Sequence, residues 1–140
     1  MEVRPTLAFG LDLHLRATAE GGRHTALLGG HAEGSRFNYR PNWGLPGMTP
    51  PEQTGGPVFG FSRENIAPGD RCRAVIVAIF FAEVPLWSEV RPGADLPMYE
   101  GSKVCGVGHV VWRVETRTPL PATDADRFVA WLEGRADQVR

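Results

Sequence analysis

Two cysteines, Cys72 and Cys105, and four histidines, His14, His24, His31 and His109, are the side chains of this chain best suited to metal or nucleophilic chemistry. A metal centre needs three or four ligands brought together. The two cysteines stand in no C-x-x-C or Cys/His spacing, and His24 and His31 lie seven residues apart in a glycine-rich stretch rather than at i, i+4 of a helix. Neither a zinc site nor a disulfide framework is signalled. Nucleophilic catalysis would require a positioned base, and there is no G-x-S-x-G. Cys105 and His109 fall on one strand face about 13 Å apart at strand rise, beyond hydrogen-bond reach. No G-x-x-x-x-G-K-[ST] is present, and Gly55-Gly56 does not open a helix, so nucleotide hydrolysis is not expected. The expectation is a non-enzymatic protein without metal or cofactor. What remains is passive anion binding: glycine turns flanked by arginine, such as Glu20-Gly21-Gly22-Arg23-His24-Thr25, offer backbone N–H groups and a guanidinium.

The charge balance confines any such binding to a local patch. With 15 basic and 16 acidic residues among 140, no broad field draws in nucleic acid. Residues 14 to 40 are the best candidate, since Arg16, Arg23, Arg36 and Arg40 outnumber Glu20 and Glu33. Hydrophobic residues at 42% suit one soluble domain. The start of the chain lacks an apolar signal-peptide core, and no run of about eighteen apolar residues occurs, so a cytoplasmic location is expected.

The elements that would position these residues are mostly strands. Leu7, Phe9, Leu11, Leu13 and Leu15 alternate with smaller or polar residues, the period of a strand with one buried face. Gly21-Gly22 then permits a tight reversal. Leu27 to Ser35 reads as an exposed loop, and Pro41, Pro46, Pro50 and Pro51 prevent a long strand after Phe37 to Trp43. Pro68-Gly69-Asp70 is a turn leading into Arg73 to Ala82, which is apolar on both faces and so expected to be covered on both sides. Leu96 to Tyr99 reads as a short strand before the Glu100-Gly101-Ser102 turn. A last strand puts Val104, Gly106, Gly108, Val110, Trp112 and Val114 on one face, with Cys105, Val107 and His109 on the other. His14 and His109 are expected to be exposed. After Pro119 and Pro121, Thr123 can cap a helix in which Phe128, Trp131 and Leu132 recur at helical spacing.

The ordered set Glu20–Thr25, Tyr39-Arg40-Pro41, Pro68-Gly69-Asp70 and Glu100-Gly101 resembles the third, C-terminal β-barrel domain of elongation factor Tu, over roughly residues 6 to 116. The resemblance implies an all-β, six-stranded antiparallel Greek-key barrel over residues 1–118, without a GTPase domain, and residues 119–140 form a helical tail outside it. Phe128, Trp131 and Leu132 are expected to dock on barrel surface. In the family this domain supports the T-stem backbone of aminoacyl-tRNA. Carried over, its RNA contacts are Arg23, Glu100 and Gly101, with Thr54 beside Gly55 matching the family threonine and Lys103 keeping positive charge after the turn. Asn42 replaces a family glutamine, and Asp95 and Tyr99 replace arginines. The bland reading of Arg23, His24 and Thr25 is a turn held by side-chain hydrogen bonds against Tyr39.

Trp43 and Trp87 stand near prolines in segments read as loops, where they would either anchor a partner or cap the end of the barrel. The expected function is a non-catalytic binding module that contacts tRNA, another structured RNA or a protein of the translation apparatus. The alternative is a stand-alone protein–protein interaction domain unrelated to translation.

Overall fold

The computed structural model describes residues 2–140 and is built of antiparallel strands with one short helix. In chain order the strands are β1 (Arg4–Leu15), β2 (Leu27–Leu28), β3 (Asn42–Trp43), β4 (Thr54–Gly55), β5 (Val58–Phe61), β6 (Asn65–Ile66), β7 (Arg71–Val77), β8 (Asp95–Glu100) and β9 (Lys103–Thr118), followed by α1 (Ala122–Leu132). Seven of them form one sheet in the order β4-β3-β8-β9-β1-β7-β5, and β2 pairs with β6. A further bridge joins Tyr39, just before β3, to Val58 of β5: the Phe37 and Val58 N–H groups donate to Val58 O and Tyr39 O, each at 2.9 Å. Among the described residues no helix is long and apolar enough to cross a membrane.

β1 is the spine, paired with β7 on one side and β9 on the other. Its alternation places Leu7, Phe9, Leu11, Leu13 and Leu15 in an inner core with Trp43, Trp87, Ile76, Leu96 and Val110. Burying this many large side chains, at about 1.5–3 kcal/mol each relative to exposure, is the main force holding the sheet around this core. Ala8 points the other way, into a second, outer core with Phe59, Val75, Val77 and Trp112, and α1 covers that layer with Ala125, Phe128, Trp131 and Leu132. β7 thus has Ala74 and Ile76 inside and Val75 and Val77 under the helix. It ends at Val77, earlier than its apolar pattern predicts. The chain turns there, with Phe81 N–H donating to Ala78 O at 3.0 Å, and Ile79 and Phe80 are left exposed.

The last strand departs from simple alternation. Gly10 pairs with Trp112 but Leu11 pairs with Val110, so Val111 is an extra residue. Met98 pairs with Gly106 but Tyr99 with Val104, which leaves Cys105 extra. Each bulge flips the faces beyond it. Val110 therefore faces the inner core while Trp112 faces the outer one, and Cys105 is buried inside rather than sharing an outward face with His109.

α1 begins at Ala122 after Pro121, with no side-chain cap, so Thr123 is not the cap its position suggests. Asp124 in the first turn accepts a hydrogen bond from Thr116 Oγ1 at 2.7 Å. The helix ends at Leu132, and the chain leaves it through Gly134, whose φ of 75° is open to glycine at little cost; Gly134 N–H donates to Trp131 O at 3.1 Å and Arg135 N–H to Ala130 O at 2.8 Å. Val139 folds back into the outer core.

The segment read as an exposed loop, Leu27 to Ser35, contains β2 and a 3-10 turn at Glu33–Ser35, with Leu27 buried and Leu28 outside. Between β3 and β4 the proline-rich stretch forms turns, which explains why both strands are only two residues long.

Candidate functional site

Two turns that are far apart in sequence meet at one end of the sheet. The first follows β1: a 3-10 turn at Thr18–Glu20 runs into Gly21, and Gly22 N–H closes back on Ala17 O at 2.9 Å. The second is the β8–β9 hairpin, where Glu100 pairs with Lys103 across Gly101 and Ser102. Gly101 has φ 62°, as the first central residue of a tight two-residue hairpin turn requires. Pairing of β1 with β9 as far as Leu15 and Gly106, extended by Arg16 N–H donating to Cys105 O at 2.9 Å, brings the two turns side by side.

Side chains then clip them together. Arg23 Nη1 donates to Glu100 Oε2, and Lys103 Nζ donates in the opposite sense to Gly22 O at 3.1 Å. Arg23 Nε donates to Thr25 O at 3.2 Å, and Thr18 Oγ1 to Arg23 O at 2.5 Å. From beneath, Tyr39 OH donates to the same Glu100 oxygen at 2.6 Å. Burial, and next the bond to Glu100, push the Tyr39 hydroxyl far above its usual pKa, so it stays a donor. Burial and then the Glu100 charge raise the Cys105 thiol as well, and its Sγ contacts Met98 O at 3.5 Å.

Arg23, His24, Thr25, Glu100, Lys103 and Cys105 line a cleft of about 340 Å³ here. The arrangement can hold an anion: a guanidinium and an ammonium converge, with the exposed His24 at the rim. Larger clefts lie beside α1, where three of the lining arginines hold the helix or the neighbouring turns. Arg73 Nη1 donates to Trp131 O at 2.7 Å, Arg113 Nη1 to Ser88 O and Val90 O at 2.8 and 2.9 Å, and Arg127 pairs with Asp124 at 3.0 Å. Among the described residues, no three His, Cys, Asp or Glu side chains are grouped to hold a metal ion.

Four of the residues singled out in the sequence, Arg23, Glu100, Gly101 and Lys103, thus come together, with Gly101 at the exposed tip. Thr54 does not join them. It is buried in β4, opposite Trp43. Trp43 and Trp87 are not in exposed loops: both are wholly buried in the inner core, which removes them as partner anchors. Trp43 sits in β3 and donates its indole N–H to Gly56 O at 2.8 Å, while the 3-10 turn Pro85–Glu89 drives Trp87 onto Phe9, with ring centroids 5.5 Å apart. The neighbouring prolines mark the turns that fold these rings inward.

The Tyr39–Glu100 bond and the Arg23–Glu100 pair were not foreseen. The only sequence signals were the two glycine turns themselves. The sequence matches no protein-family model and no curated protein.

Proposed function

We propose that the protein is a non-catalytic binding module that takes a phosphate group of RNA between Arg23, His24 and Lys103, in the manner of the third domain of elongation factor Tu that its sequence resembles. The observation that carries this reading is the convergence of the Glu20–Thr25 turn and the Glu100–Lys103 hairpin on one cationic cleft, although 77 residues separate Arg23 from Glu100. Lys103 is the only lysine in the chain, and it stands at this cleft.

The same proposal reads the sheet as a closed six-stranded barrel. Its support is the Tyr39–Val58 bridge, which lets the order β3-β8-β9-β1-β7-β5 return to β3 through residues just before that strand. Taken in chain order as β1, β3, β5 and β7, these strands would then follow a Greek key, with the first beside the fourth.

RNA binding measured at several salt concentrations tests the function. The parent is expected to bind tRNA with a negative salt slope, and Arg23→Ala and Lys103→Ala are each expected to reduce that slope by about one. No binding at low salt would overturn the RNA reading and leave the protein–protein interaction domain as the standing alternative.

A further inference from the structure

We infer that Glu100 is a built-in competitor at the anion cleft, its carboxylate occupying Arg23 so that an incoming phosphate must displace it. The inference rests on the reading of the cleft given above. Arg23 is already paired twice, through Nη1 to Glu100 and through Nε to Thr25 O. Glu100 is held from the inner side by Tyr39 OH at 2.6 Å, donating to the same oxygen that receives Arg23. Carboxylate and phosphate oxygens are equivalent partners for a guanidinium, so only one of them can take the Nη1 edge at a time.

Lys103 differs, because its Nζ donates to the neutral Gly22 carbonyl and its charge is not cancelled there. A phosphate therefore meets Lys103 and the rim His24 first, and then competes with Glu100 for Arg23. Weak binding of an isolated phosphate follows. A backbone that presents phosphates in series, held first by Lys103, can displace Glu100 more readily.

Glu100→Gln separates the charge from the shape: its amide oxygen still accepts from Tyr39 and Arg23 while the negative charge is gone. Parent and variant are titrated with a short single-stranded RNA and with inorganic pyrophosphate at low salt. Removing one unit charge about 4 Å from the bound anion is expected to tighten RNA binding about fivefold. Glu100→Ala, which removes the carboxylate altogether, is the second variant and is expected to gain as well. The gain should vanish in an Arg23→Ala/Glu100→Gln double variant. Glu20→Gln, exposed in the neighbouring turn, should not reproduce it. Equal RNA binding by parent and both Glu100 variants overturns the competitor while leaving the RNA reading intact, as does an equal gain from Glu20→Gln. Absence of binding in the parent and in both Glu100 variants overturns both.

Discussion

Tyr39 is the residue through which the cleft is tied to the core. Its hydroxyl holds Glu100 and its ring lies 6.1 Å from that of Phe61, so the site's geometry depends on a group set from inside. Tyr39→Phe keeps the ring and removes the donor to a charged acceptor; a loss of about 1–2 kcal/mol is expected, read as a lower denaturation midpoint at unchanged m. Unchanged stability would mean that solvent replaces the phenol. Cys72 sets a pH dependence. Burial is the largest cause pushing its thiol from 9.0 up to about 12. Between these values the unfolded chain has lost a proton that the folded chain keeps, so stability is full below about pH 9 and falls as pH rises through 12. Cys72→Ala should flatten the alkaline limb of a Tm-against-pH curve, and an unaltered limb would refute the assignment. Residue types at the site were legible in the sequence because glycine turns and arginine have local signatures. The partner of Arg23 was not, because strand pairing alone brings Glu100 to it.

At the scale of elements, β1 was readable and β9 was not, for one physical reason. Every second residue of β1 from Leu7 to Leu15 is large, apolar and buried, so the pattern survives any local bending. β9 carries the two extra residues Val111 and Cys105, and a bulge is fixed by the partner strands rather than by the bulged sequence. Its visible trace is the cluster of glycines. Gly10 lies at the Val111 bulge, directly under the Trp112 indole, and a Cβ there would run into the ring. Gly10→Ala is expected to cost about 1–3 kcal/mol by forcing Trp112 off its site against Phe128 and Trp131, where the ring centroids are 5.5 and 5.3 Å apart. Gly34→Ala, with open space around its Cβ position, is the matched control and should be close to neutral. If the two substitutions cost the same in denaturant unfolding, the bulge does not depend on that close approach.

For the whole molecule, the question is what the helix does for a sheet that already has an inner core. β7, apolar on both faces, signalled a second covering layer, and the helical spacing of Phe128, Trp131 and Leu132 supplied a candidate cover. That the two belong together follows from the pairing of β7 with β1 and β5, which sets Ala8, Phe59, Val75 and Val77 side by side under α1. The contact is also directional: Arg73 donates to Trp131 O and stacks on the Trp131 ring at 4.8 Å, and Thr116 anchors Asp124. Trp131→Ala removes the centre of this layer without touching the inner core, and a loss of about 3–5 kcal/mol is expected. Deleting residues 119 to 140 goes further and leaves the Trp112 and Phe59 rings facing solvent as part of one apolar strip, so the shortened chain should bind a hydrophobic dye, unfold at lower temperature and aggregate. The cleft lined by Arg23 and Lys103 contains no residue of α1, so a single Trp131→Ala variant that still folds should keep the RNA affinity and salt slope of the parent. A shortened chain as stable and as soluble as the parent would mean that the inner core alone holds the fold and that α1 only decorates it.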